Sequence, residues 1–158
     1  MDLTFQTKHG FFNYRVGAVI IRQERLLVTK DKRSPYFYIP GGRVRLHETA
    51  ENAILRETRE ELGANGNILR PLWFCQNFFT EDVLRERFHE LCVYYLMEFP
   101  ENAFPKGEVF ERVEGSRVHT FRWIAFDRLR DTYVYPLFLK ERIYDLPEKP
   151  QFLTEIEP

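Results

Sequence analysis

Three glutamates, Glu57, Glu60 and Glu61, stand at positions i, i+3 and i+4. On a helix this spacing brings their carboxylates onto one arc. Like charges so placed repel by about 0.2–0.5 kcal/mol per pair. Arg56 offsets part of the repulsion through Glu60, four residues on, while Arg59 points to the other side. Beside the arc, Ala50, Ile54, Leu55, Thr58 and Leu62 form a mostly apolar stripe. Carboxylates bordering a buried face call for a counter-charge, and a hard divalent cation with oxygen ligands is the natural one. The bland alternative is a solvated acidic helix face, which Glu-rich helices commonly present.

The element that must position these groups is legible. Good helix formers run from Ala50 to Leu62, Glu51 falls in the first turn, and Gly63 follows as a left-handed stop. Upstream, Pro40-Gly41-Gly42 predicts a tight turn whose backbone can approach a ligand closely. Five residues separate Gly42 from Glu48, and seven separate Glu48 from Arg56.

This pattern resembles the Nudix hydrolase box, and every fixed position of that box is filled: Gly42, Glu48, Arg56, Glu57, Glu60, Glu61 and Gly63. The two positions usually held by bulky aliphatic residues carry the smaller Thr58 and Ala64. The resemblance implies an α/β fold, the Nudix α/β/α sandwich with a mixed central sheet. It implies a metal-dependent hydrolase that opens a phosphoanhydride in a nucleoside di- or triphosphate or a nucleotide-linked diphosphate. It also implies Mg²⁺ or Mn²⁺ as cofactor. By box position, Glu57 and Glu61 are the metal ligands, with Glu60 next and a backbone carbonyl at Gly41 or Gly42 as an added oxygen. Arg56 holds the carboxylates in place. Glu48 is either an outer ligand or the partner of Arg56.

Substrate-binding candidates are Gly41, Gly42, Arg22 and Lys30, with Arg15 a further cation on the strands leading to the box. Tyr36, Phe37 and Tyr38 either stack a base or belong to the core. The general base is open between a box carboxylate and one of Glu90, Glu108, Glu111 and Glu114. His9, His47, His89 and His119 are scattered, without zinc-ligand spacing. Marks of particular subfamilies are missing. Phe78-Phe79-Thr80 lacks the proline typical of ADP-ribose pyrophosphatases. Glu81-Asp82-Val83 lacks the tyrosine of dinucleoside polyphosphate hydrolases, and Leu27 to Gly41 does not match the coenzyme A pyrophosphatase motif.

Composition bounds the rest. The chain has 158 residues, 44% of them hydrophobic and 16% aromatic, which predicts one domain, 1–158, with a real core. A net charge of −1 gives no basic footprint for nucleic acid. Cys75 and Cys92 read as buried thiols of a reducing compartment, with a disulfide between them as the lesser alternative, and no targeting or membrane-spanning segment shows. The expected setting is cytoplasmic, with a small nucleotide or diphosphate as partner, no membrane, and a homodimer admitted as the assembly. Two other readings remain. A Nudix-fold binding module is expected to lose box glutamates, and an isomerase on the same fold needs an exposed cysteine.

Strands are expected at Leu3–Lys8, Phe11–Arg22, Arg25–Thr29, Tyr36–Ile39, Ile68–Thr80, Phe88–Phe99 and Val118–Ala125. Gln23-Glu24 and Glu81–Arg87 are their hairpin connections. Pro100–Arg117 reads as a long functional or mobile loop. A last helix is expected over Pro136–Tyr144, then a polar tail with Phe152, Leu153 and Ile156 as docking points.

Overall fold

The computed structural model describes residues 1–157. Among the described residues, eleven strands and two helices follow one another. Strands β1 (Thr4–Thr7), β2 (Gly10–Arg22), β3 (Arg25–Lys30), β4 (Phe37–Tyr38) and β5 (Gly41–Arg43) precede α1 (Ala50–Leu62). Then come β6 (Asn67–Thr80), β7 (Arg87–Glu98), β8 (Val109–Glu114), β9 (Arg117–Ala125) and β10 (Val134–Tyr135). The chain closes with α2 (Leu139–Arg142) and β11 (Gln151–Ile156).

The sheet is mixed, in the order β10-β4-β3-β2-β7-β6-β11. β2 and β7 run parallel, β6 and β7 antiparallel, and β11 parallel to β6. β2 carries β1 and β5 as further partners, and β3 carries the β8–β9 hairpin through β9. The sheet therefore forks. One half grows from β2 and the other from β3, and the two meet where Ile21 and Arg22 pair with Leu26 and Arg25.

Alternation along the strands divides the core between two faces. On β2, Val16, Ala18 and Ile20 point to the α1 side, with Val93, Tyr95 and Met97 of β7. Val19 points to the α2 side, with Cys92, Tyr94 and Leu96. Because Val16, Ala18, Val19 and Ile20 are all buried, this part of β2 reads as a continuous apolar run, as expected of a strand covered on both faces. Helix α1 closes one face through Ala53, Ile54 and Leu62. Phe138, Leu139 and Ile143 close the other.

Four expectations change. Pro40-Gly41-Gly42 is no tight turn: Gly41 and Gly42 lie in β5, opposite Gly17 and Val16. Glycine is needed there for space, since a Cβ on Gly41 would strike the Val16 carbonyl. The stretch Pro100–Arg117 is not one loop. It holds a single 3-10 turn at Glu101–Ala103 and then β8, which pairs with β9 across a turn where Gly115 takes φ 60°. The final helix is four residues long. The tail is β11, which buries Leu153 and leaves Phe152 and Ile156 exposed; Pro158 lies outside the described residues. Among the described residues, no helix is long and apolar enough to cross a membrane.

Candidate active site

Local sequence fixes α1. The Thr49 hydroxyl accepts the Asn52 N–H at 3.1 Å, and Gly63 closes the helix at φ 67° with its N–H on the Arg59 carbonyl. Leu55, expected on the apolar stripe, is exposed, and Glu61 is buried in its stead. A carboxylate turned into the body of the protein loses the water that solvates it.

Glu57 and Glu61 converge on β5. Glu61 accepts the Gly41 N–H at 3.3 Å. The Glu57 carboxylate lies against the Gly42 α-carbon, so close that any side chain at Gly42 would overlap it. Burial pushes the Glu61 carboxyl well above the usual carboxylate range, and the Glu57 charge adds to the effect. Burial also raises Glu57, against the pull of Arg56. Glu60 is more exposed and stands 3.5 Å from Arg56.

Arg56 is the organiser. Its fork donates to both oxygens of Glu48, at 2.7 and 2.9 Å, and to Glu57 at 2.7 Å. It also donates to the Arg43 carbonyl at 3.0 Å, tying α1 to β5. Hydrogen bonds from Arg56 hold the Glu48 carboxyl down at about 2. Of the two roles considered for Glu48, partnership with Arg56 is the one the geometry displays.

The other candidates are scattered. Arg22 lies roughly 17 Å past Gly17 along β2. Its guanidinium is engaged by the Phe99, Pro100 and Glu101 carbonyls and rests on Phe104 and Trp123. It is a structural clamp and does not face the carboxylates. Lys30 sits over the Phe37 ring, 4.6 Å from its centroid. Arg15 is the cation at the site: it stands 3.8 Å from Glu90, and its charge is felt at both Glu57 and Glu61. Tyr38 is pushed up to about 12 by burial and feels Glu61, Arg15 and Arg117. Tyr36 packs edge-on against Tyr133 and Tyr135.

That tyrosine cluster meets the β6–β7 loop. Tyr133 and Tyr135 donate to Asp82, the latter at 2.9 Å, and Tyr36 donates to Glu81 at 3.1 Å. The loop from one half-sheet is thus clasped to the wall of the other. The β8–β9 hairpin reaches α1 through Arg112, which donates to the Leu62 carbonyl at 3.1 Å. On the same face Glu114 stands 3.3 Å from His119, a buried histidine that makes no hydrogen bond. Glu108 and Glu111 are exposed, as are His9, His47 and His89. The place of His119 had one weak sequence signal, a Glu114-Gly115-Ser116 turn between alternating residues. Cys75 and Cys92 are free and buried, and burial pushes the Cys75 thiol up to about 12. Neither offers the exposed thiol that an isomerase needs.

Among the described residues, no three His, Cys, Asp or Glu side chains stand as a ready-made metal cage. The donor set nevertheless fits a hard cation that takes part of its shell from substrate oxygens. Two crowded carboxylates, both raised by burial, gather beside a strand whose glycine leaves room for one of them.

A family model for the NUDIX domain matches residues 12–142. A Methanocaldococcus jannaschii protein named ADP-ribose pyrophosphatase is 24% identical over 115 residues, 71% of this chain and 66% of its own. A Caenorhabditis elegans protein named as a Nudix hydrolase is 37% identical over 71 residues, 40% of this chain and 20% of its own. The chain thus spans between a fifth and two thirds of these curated relatives. The crystal structure of a MutT NUDIX hydrolase from Burkholderia pseudomallei superposes with a TM-score of 0.54 at 31% identity. That match covers 73% of this chain and 84% of the other. The match over 12–142 takes in most of β2, all of β3 to β10 and the helix with its glutamates, and the chain belongs to the Nudix family.

Proposed function

We propose that this chain, as one domain over 1–158, is a metal-dependent hydrolase of phosphoanhydride bonds. Its substrates are nucleoside di- or triphosphates or nucleotide-linked diphosphates. The observation that carries the reading is the convergence of Glu57 and buried Glu61 on the Gly41-Gly42 strand. Glu57 and Glu61 would hold Mg²⁺ or Mn²⁺, with Glu60 and a Gly42 backbone oxygen completing the protein's share. When bound, the metal neutralises the diphosphate and lowers the pKa of the attacking water. Arg56 and Glu48 keep Glu57 in place. Arg15 supplies a cation to the phosphate side. Glu114 is the outer carboxylate best supported as base, since its charge is felt at Glu61 and His119 backs it. The names of the relatives support phosphoanhydride chemistry without fixing the base. The free, buried cysteines support a reducing, cytoplasmic setting.

The test is turnover of a panel of nucleoside di- and triphosphates and nucleotide sugars, with Mg²⁺ and with Mn²⁺, followed by phosphate release and product mass. Cleavage that disappears in chelator and in Glu61→Gln is the expected result. A wild-type protein inert toward every phosphoanhydride would overturn the reading in favour of a binding module.

A further inference from the structure

On the α2 side of the sheet, β2, β7 and β6 line up residue by residue. One row is Asn13, Glu90 and Asn77. All three are buried, at 3%, 9% and 8% exposure. A buried carboxylate is costly unless tightly held. Glu90 is held loosely by Asn77 and Arg15. One oxygen is 3.5 Å from the Asn77 amide nitrogen and the other 3.8 Å from Arg15, with Asn13 as a further hydrogen-bond partner. The Asn77 and Arg15 contacts are long for charged groups, which close to about 2.7–2.9 Å when they are the intended partners.

The amides have fixed orientations. The Asn13 oxygen accepts the Thr4 hydroxyl at 2.5 Å, and the Asn77 oxygen accepts the Cys75 thiol at 3.1 Å. Both NH₂ groups are therefore turned toward the row. The row displays donor, carboxylate, donor, with strands about 4.8 Å apart. Next to it Phe11, Phe88 and Phe79 stand parallel, with centroids 5.2 and 5.1 Å apart, beside an open depression. On the other side Arg15 leads toward Glu61.

We propose that the Asn13–Glu90–Asn77 row is a nucleobase subsite and that it selects guanine. The inference rests on the hydrolase reading above and names the nucleotide that site would take. Guanine presents two adjacent N–H donors, N1–H and N2–H, between the acceptors O6 and N3. The pair matches the two oxygens of Glu90, and each flanking acceptor meets an asparagine NH₂. Adenine and cytosine place a ring acceptor beside their amino group and face the carboxylate with a lone pair. Uracil offers one donor and leaves one buried oxygen unpaired. The phenylalanine row gives the ring an apolar flank, and Arg15 lies between base and diphosphate.

The test is calorimetric binding of α,β-methylene analogues of GDP, ADP and UDP, and of the inosine counterpart, in Mn²⁺. The guanosine analogue should bind roughly tenfold or more tightly than the inosine one, which lacks only the 2-amino group. Glu90→Gln should abolish that difference and leave the adenosine analogue within about twofold. Equal affinity for all bases, preference for the uridine analogue, or a guanine preference that survives Glu90→Gln would overturn the assignment. If Glu90→Gln does not fold, the guanosine–inosine comparison on the wild type decides alone. Binding is read without turnover. A guanine preference in a protein that hydrolyses nothing would sink the hydrolase reading and keep the subsite. Hydrolysis with no base preference would do the reverse.

Discussion

Replacing Gly42 by alanine separates chemistry from folding in one methyl group. The new Cβ would lie inside 3.0 Å of the Glu57 carboxyl carbon and both its oxygens. The carboxylate must then retreat by roughly 1 Å to regain ordinary contact. What gives way is the end of a half-buried side chain, so the fold should lose at most about 1 kcal/mol, or ~2–4 °C in Tm for a chain of this size. Catalysis has no such slack. A misplacement of about 1 Å in a positioned group costs on the order of 100-fold in rate. Gly41→Ala is the partner experiment. There the Cβ meets the Val16 carbonyl and the Gly17 α-carbon, both backbone, so β5 must leave β2. That variant should unfold several degrees earlier. Thermal melts of both proteins, with kcat and Mn²⁺ titration on a cleaved substrate, read the contrast. Gly42→Ala with turnover within about threefold of wild type and unchanged metal affinity would refute the placement of Glu57.

If Glu61 holds the metal as proposed, Glu61→Gln should lower kcat by about two orders of magnitude or more. Its carboxyl is raised by burial, so its charge costs stability above that pKa; Gln should therefore melt no lower in metal-free buffer at neutral pH, and exposed Arg59→Gln should change neither quantity. Arg56→Lys loses the fork to Glu48 and Glu57 and should cost roughly 2–4 kcal/mol in denaturant titration. Glu48 is depressed on folding, so its contribution is complete above its ordinary range near 4.5 and is lost as pH falls toward about 2. That acid limb should shift to higher pH in Arg56→Lys. Leu153→Ala should cost about 2–3 kcal/mol in a thermal melt, while exposed Phe152→Ser should cost less than about 0.5.

What the sequence made legible was local. Helix α1 has the expected limits, Ala50–Leu62, because Thr49 and Gly63 terminate it with their own atoms. The long strands β2, β6 and β7 announced themselves through apolar runs. Strands β5 and β11 did not, because each exists by virtue of a distant partner, β2 and β6, and β8 is a short, mostly polar strand held by its hairpin with β9. Site residues followed the same division. Glu57, Glu60 and Glu61 are readable as a spacing, since one helix carries them. Arg15 could not be told from Arg22 in the sequence, because only the fork of the sheet sends one to the carboxylates and the other to three carbonyls. Asn13, Glu90 and Asn77 come together only through the register of three strands.

The clasp of Asp82 and Glu81 on three tyrosines gives the forked sheet the mechanics of a peg. The pivot is the short pairing of Ile21 and Arg22 with Leu26 and Arg25. The jaws are the two half-sheets, and the catch sits at their far end. From Arg22 back to Asn13 along β2 is ~30 Å, so a pivot rotation of ~5° opens the mouth by ~3 Å. Removing the catch with Tyr135→Phe and Tyr133→Phe should leave the pivot untouched. It would turn a latched jaw into one that breathes, with solvent viscosity and temperature setting how often it admits a ligand.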